Sequence, residues 1–377
     1  MPEKHAFLSC SSSKRWLECT PSARLTETFK DVQSCFAQEG TLAHSFCEYK
    51  LSKAIGRELP VPEKNEFYSE EIEECSDEYV SYVMELYEEA KTKCKDPILL
   101  VEQEVSLEAY VPESFGTCDA LIVADDTLYV IDYKHGSGVF VSAEHNTQIM
   151  LYSIGALMLF DGLYDIKNIH MTIFQPRLSN ISTFEMKKEE LLDWAENELK
   201  PKALKAFNGE GDFHAGDWCR FCKAKAICKE RANSFLSLAK NDFIDPALLS
   251  DDEIEEVLSK SESLVSWAND VKDFALEEAL KGKKWKSFKV VAGKSNRKFC
   301  DDEKVIQKLE NAGVDPFEKK LMSITNLQKK LGKVKFEELL GGLIIKPQGA
   351  PTIVSRNDKR VELEISSPEN DFKEKLK

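Results

Sequence analysis

The residues best suited to chemistry are Gly116-Thr117-Cys118-Asp119 and, beyond two apolar runs, Ile131-Asp132-Tyr133-Lys134. The runs flank Asp125-Asp126, a pattern that predicts a β-hairpin with its tip at those aspartates. In that register Asp119 stands opposite Asp132, and Lys134, two residues on, shares the sheet face of Asp132. Two carboxylates and an amine then converge, whereas a slip of one residue would scatter them. Carboxylates held together favour a divalent cation between them. Mg²⁺ or Mn²⁺ takes such oxygens in octahedral geometry and keeps several waters. The Tyr133 carbonyl is a candidate further ligand. Water bound to the cation becomes a better nucleophile. Lys134 could orient that water or stabilise charge on a phosphate oxygen. On an exposed hairpin the same side chains would make only a weak ion pair, and it is the matched register that favours the metal reading.

His44, in Glu39-Gly40-Thr41-Leu42-Ala43-His44, is a candidate third ligand through a neutral ring nitrogen, or else a partly buried structural histidine. Glu39, five residues earlier on the expected helix, is expected to face elsewhere. Gln148 and Tyr152 lie four apart, on one face of another predicted helix. They could hold a nucleic-acid strand by hydrogen bonding and stacking, or simply pack on the sheet.

The elements that must position these residues follow from periodicity. Residues 1–60 read as helical, with a helix over Glu39–Ile55. An acidic stretch over 63–95 reads as a solvated amphipathic helix with Ile72, Val80, Val83 and Leu86 as its stripe. Strands are expected at 98–107, 120–124 and 127–133 as an antiparallel meander, then a helix at 142–160, a strand at 169–175 ending at Pro176, and a helix at 187–207. The order predicts an α/β fold, a mixed sheet with helices on both sides. The expected divisions are an N-terminal helical segment (1–60), the core (61–210), a cysteine and helical region (211–282), a small basic C-terminal domain (283–364) and a charged tail (365–377).

The chain has 377 residues, too many for one small core. No apolar run approaches a bilayer span, and the N-terminus shows no long apolar leader, so an intracellular, non-membrane protein is expected. The net charge of −15 excludes a protein basic all over but not a local nucleic-acid surface. Charge is uneven: eleven acids and one lysine lie between Glu63 and Glu89, and eight Lys/Arg and no acid between Lys281 and Lys298. Trp285 and Phe288 interleave that basic stretch, which could track a phosphate backbone or be a solvated face.

Cys219, Cys222 and Cys228 form C-x2-C-x5-C, three thiolates that need a fourth ligand. Cys19 is the expected remote partner and Cys10 the runner-up. One distant ligand favours a [4Fe–4S] cluster over zinc, whose sites usually show two tight pairs. Such a site would clamp the N-terminus onto the far flank of the core. Cys35, Cys47, Cys75, Cys94, Cys118 and Cys300 read as ordinary small apolar residues.

Together these residues resemble the PD-(D/E)xK nuclease superfamily, in particular the branch of RecB-type nucleases, AddB and the CRISPR-adaptation exonucleases. The match is carried by His44, the Gly-x-x-Asp aspartate Asp119, the Asp-x-Lys pair Asp132 and Lys134, Gln148 and Tyr152 as Gln-x-x-x-Tyr, and Cys19 with Cys219, Cys222 and Cys228, in the family's order over roughly residues 10–235. Asp132 stands where many relatives have Glu. The whole chain is also similar to an uncharacterised phage and prophage family, through Trp16-Leu17-Glu18-Cys19, Glu39-Gly40-Thr41-Leu42-Ala43-His44, Asp132-Tyr133-Lys134-His135-Gly136, Ser295-Asn296-Arg297-Lys298 and the stretch from Lys346-Pro347 to Lys359-Arg360. The resemblance implies a restriction-endonuclease-like core and a Mg²⁺- or Mn²⁺-dependent deoxyribonuclease, an exonuclease acting on single-stranded DNA or free ends. Asp119, Asp132 and Lys134 would be catalytic. His44, Asp119 and Asp132 would bind the ion, Gln148 and Tyr152 the strand, and the four cysteines a structural iron–sulfur cluster. It also implies phage replication or recombination proteins as partners, in the host cytoplasm. The rival expectation is a DNA-binding or recruitment module of the same fold that has lost turnover.

Overall fold

In the computed structural model the described residues are 6–29, 35–160, 162–240, 251–292, 300–317 and 321–345. Three helices precede the acidic segment: α1 (Ser13–Glu18), α2 (Ser22–Glu27) and α3 (Cys35–Ala54). The acidic segment forms α4 (Glu70–Lys93). The sheet begins with β1 (Ile98–Ser106), β2 (Phe115–Ala124) and β3 (Thr127–Tyr133), followed by α5 (Thr147–Phe160), β4 (Asn168–Gln175) and β5 (Asn180–Lys187). Beyond it come α6 (Lys188–Trp194), a single π-helical turn (Ala195–Leu199) and α7 (Lys200–Asn208). A 3-10 turn (Asp217–Phe221), α8 (Lys229–Lys240) and α9 (Asp251–Leu280) follow.

The five strands lie in sequence order. β1, β2 and β3 form the expected antiparallel meander. β4 joins β3 in parallel through the crossover helix α5, and β5 returns antiparallel on β4. The result is a mixed α/β sheet flanked by helices. β5 is an addition to the expected order. Pro176 ends β4 as expected, but the chain turns at once, with Ser179 in the left-handed region, and pairs back on β4. Its exposed positions alternate with partly buried ones, a weak pattern for an edge strand.

Each face of the sheet carries its own apolar cluster. On one face Leu121, Val123, Leu128 and Val130 pack with α5, α1 and the α6–α7 segment. On the other, Ala120, Ile122, Ala124, Tyr129 and Ile131 pack with α3 and α4. The acidic helix α4 is amphipathic, as expected. It buries Ile72, Cys75, Tyr79, Val83 and Ala90 and turns its acids outward. Of the stripe expected there, Val80 and Leu86 are only partly buried.

Contacts divide the chain into two units, Met1–Glu277 and Glu278–Lys377. The second contains α10 (Asp302–Asn311), α11 (Ile324–Leu331) and α12 (Lys333–Leu340). Lys284, Lys286, Phe288 and Lys289 are exposed there. The Ser295–Lys298 motif, the 346–360 stretch and the 365–377 tail lie outside the described residues. Among the described residues no helix is long and apolar enough to cross a membrane.

Candidate metal centre

The β2–β3 ladder runs from Ala124–Thr127 at the tip to Ala120–Ile131, the register with Asp125-Asp126 at the turn. Beyond that pair Asp119 Oδ2 accepts the backbone N–H of Tyr133 at 2.7 Å. A side-chain carboxylate thus takes the amide that a strand partner would otherwise bind. Asp119 Oδ1 lies 3.1 Å from His44 Nδ1, brought by α3, and the His44 ring sits edge-on to Tyr133 at 5.3 Å. Asp132 is buried. Its Oδ1 receives the Gln148 amide at 3.4 Å, and Gln148 also donates to the Tyr152 hydroxyl at 3.1 Å. Lys134 Nζ sits 2.7 Å from Asp132 Oδ2 as an ion pair that is not aligned as a hydrogen bond, leaving that oxygen without a hydrogen-bond partner. The Lys134 backbone N–H is anchored on Phe174 O at 2.8 Å, where β3 runs beside β4.

His44, Asp119, Asp132, Lys134, Gln148 and Tyr152 therefore form one connected group, with His44 brought by α3, and Gln148 and Tyr152 by α5. Tyr152 is 8% exposed, and its ring lies against Gly116. It supports Gln148 from below and does not offer an open stacking face. Gly116 is required there: a Cβ would come within 2.7 Å of both Tyr152 Cε1 and Cys10 Sγ. Cys10, the runner-up cluster ligand, is buried under this group, and its thiol is pushed up to about 12, chiefly by burial. Glu39 has its own partners, Arg177 at 3.4 Å and His135 at 3.6 Å.

Electrostatics separate the two aspartates. Burial raises the pKa of both, but at Asp119 the His44 charge and hydrogen bond, Lys134 and the Tyr133 N–H outweigh it and hold the carboxyl below its ordinary value. At Asp132 burial, with the neighbouring Asp119 charge, outweighs Lys134 and holds the carboxyl above it. Burial disfavours the His44 cation, yet Asp119 raises its pKa to about 9. In the absence of a cation His44 is an imidazolium paired with Asp119, so metal ligation requires loss of that proton.

Glu102 was not among the expected residues. One of its oxygens lies within 4.8 Å of both a His44 ring nitrogen and an Asp119 oxygen. Its place opposite Asp119 depends on the register across the Leu107–Ser114 connection, whose length no turn motif in the sequence sets.

The four expected cluster cysteines meet at a second place. Cys19, at the end of α1, lines one cavity with Cys219, Cys222 and Cys228. Arg15 and the buried Arg231 line it too. Burial raises the Cys219 and Cys222 thiols, opposed by Arg231 and Arg15 respectively. The same region also ties the N-terminal helices to the end of α7 directly. Arg24 packs between Phe7 and Phe207, 4.2 and 4.9 Å from their centroids, and Thr20 Oγ1 donates to Glu210 O at 2.6 Å. Of the cysteines expected to be small apolar residues, Cys47, Cys75, Cys94 and Cys118 are buried. Cys35 and Cys300 are exposed, a correction that follows from their places at the first turn of α3 and just before α10.

A solved structure titled "Crystal structure of SSO0001" is similar to this chain at 14% identity, over 58% of this chain and 97% of that one, with a TM-score of 0.21. A likeness of that size bears on neither fold nor activity. Over nearly its whole length the chain matches one family model, at residues 5–361, and it belongs to the family described as "Protein of unknown function (DUF2800)".

Proposed function

We propose that this protein is a metal-dependent deoxyribonuclease of the PD-(D/E)xK kind, an exonuclease acting on single strands or free ends in phage DNA replication or recombination in the bacterial cytoplasm. The observation that most supports this reading is Asp119 held in the opening between β2 and β3, between His44 on one side and the Asp132–Lys134–Gln148 group on the other.

The donor set fits Mg²⁺ or Mn²⁺: carboxylate oxygens, one imidazole nitrogen, and an Asp132 oxygen that lacks a hydrogen-bond partner. His44, Asp119 and Asp132 would hold the ion. A bound ion supplies an activated water and neutralises charge on the scissile phosphate. The rest is done by this chain's own groups. The Tyr133 N–H fixes the rotamer of Asp119, and Gln148, braced by Tyr152, fixes Asp132. The Lys134 ammonium, on a backbone pinned to β4, donates to the attacking water or to a phosphate oxygen.

At the cysteine cavity four thiols and two guanidiniums suit an anionic tetrathiolate cluster. The sequence pattern, one remote cysteine joined to C-x2-C-x5-C, favours a [4Fe–4S] cluster over zinc, with a structural role.

The test is hydrolysis of end-labelled single- and double-stranded DNA, with and without free ends, in Mg²⁺ or Mn²⁺. Asp119→Ala and Lys134→Ala are expected to lower cleavage by at least about 100-fold while folding survives. Unchanged cleavage in both variants refutes the reading. DNA retention without cleavage by the intact protein replaces it with a binding module of the same fold.

A further inference from the structure

Glu102 lies in the middle of β1, yet its φ is +49°, in the left-handed region that β-strands do not use and that glutamate seldom adopts. The distortion is local. The β1–β2 ladder pairs Val101 with Ala120 and Gln103 with Cys118, and skips the Glu102–Asp119 pair between them. The pleat inverts across this point. Leu99 and Val101 pack on the α3–α4 side, but Val105 packs on the α5 side. On β2, Ala120, Ile122 and Ala124 face α3–α4, whereas Cys118 faces α5. Asp119 is thus flanked by a break in the ladder on both sides, toward β1 at Glu102 and toward β3 at Tyr133.

A glutamate at such a position is poorly explained by packing alone, because glycine adopts this backbone at no steric cost. Its carboxylate ends within 4.8 Å of both His44 and Asp119. Asp132 is not part of that trio and is engaged instead by Lys134 and Gln148. Extended from the flanking pairs, the register sets Glu102 and Asp132 on either side of Asp119.

We propose that Glu102 is a further metal ligand, sharing with His44 and Asp119 the divalent cation of the proposed nuclease centre. The inference rests on the nuclease reading for the presence of a metal, and adds to it a carboxylate that none of the sequence motifs contains. Two carboxylates and a deprotonated imidazole at ligand spacing form an oxygen-rich set of net charge −2, matched to Mg²⁺ or Mn²⁺.

The test uses the full chain freed of divalent ions and titrated with Mn²⁺, with free Mn²⁺ read from its aqueous electron paramagnetic resonance signal. Glu102→Gln keeps the side chain's size and removes its charge. Glu102→Gly suits the left-handed backbone and keeps the measurement possible if the glutamine variant fails to fold. Both are expected to bind Mn²⁺ at least about tenfold more weakly than the native chain, with unchanged near-ultraviolet circular dichroism. Native-like Mn²⁺ affinity in the folded variants overturns the role of Glu102 and leaves the nuclease reading standing. Absence of Mn²⁺ binding by the native chain removes the metal centre itself, and the role of Glu102 with it.

Discussion

Asp119 Oδ2 lies 2.7 Å from the backbone nitrogen of Tyr133 and accepts its N–H. This one bond joins the sheet to the site: β2 gives up a ladder position, and the amide of β3 is satisfied by a carboxylate whose other oxygen faces His44. The bond separates charge from hydrogen bonding at the same residue. Asp119→Asn keeps an oxygen for the amide and loses the charge, so it is expected to lose metal-dependent cleavage and, near neutral pH, only the stability that pairing with His44 contributes. Asp119→Ala orphans the buried N–H as well and is expected to cost about 1–3 kcal/mol more. Urea unfolding of both variants, set beside cleavage rates, checks the split.

If the proposed centre binds a cation, the His44–Asp119 pair makes that binding compete with a proton. His44 is raised to about 9, so at pH 7–8 a cation binding there is expected to release about one proton. Calorimetric titrations with Mn²⁺ in buffers of different ionisation enthalpy measure that number, and apparent affinity is expected to rise with pH until about 9. Stability of the metal-free protein follows the opposite sign. The raised His44 contributes stability that is fully present below about 6.5, its unfolded value, and is lost as pH rises through about 9. The depressed Asp119 contributes stability that is lost as pH falls through its folded value.

Gly116 and Gly155 provide a matched pair of steric tests. A methyl at Gly116 meets Tyr152 and Cys10 at 2.7 Å, whereas one at Gly155 meets Val105 Cγ2 at 2.6 Å, away from the carboxylates. Each alanine variant is expected to cost about 1–3 kcal/mol by overpacking. Only Gly116→Ala is expected to depress cleavage below the unfolding transition, because it displaces the brace under Gln148. Cleavage at low temperature alongside thermal melts separates the two.

The cysteine cavity predicts a visible chromophore and a mechanical role. Anaerobically purified protein is expected to be brown with broad visible absorption, and Cys19→Ser to lose the colour. Treating the cluster as a cross-link over a long loop, its loss is expected to cost about 2–4 kcal/mol and to lower Tm by roughly 5–15 °C. The Arg24 and Thr20 contacts remain, so the variant is expected to fold. A colourless native protein containing zinc refutes the cluster.

Lys284, Lys286 and Lys289 are exposed on the second unit. If they contact single-stranded DNA, replacing all three by Ala is expected to reduce the slope of log affinity against log salt by about two. Fluorescence anisotropy across a salt series measures it, and an unchanged slope excludes this stretch from binding.

Much of the site was legible before folding because its determinants are local. Hairpin register follows from two apolar runs and their turn up to Ala120–Ile131, where the ladder ends short of the expected Asp119–Asp132 pair, and helix spacing puts Gln148 and Tyr152 on one face. The α/β order and the three-strand meander followed from the same periodicities. β5 was not legible, since an edge strand with one weakly buried face has little apolar contrast. The buried stripe of α4 was legible at Ile72 and Val83, whereas Cys75, Tyr79 and Ala90 were added by its packing on the sheet. Tertiary structure alone decided three further things. It opened β2 from β3, so that a side chain replaced a backbone acceptor. It set the β1–β2 register across a long connection, which put Glu102 beside Asp119. It also closed the roughly 200 residues between Cys19 and Cys219 into one cavity. Each depends on contacts between segments whose separation in the chain carries no periodic signal, so the energy that selects them exists only once the two faces of the sheet are covered.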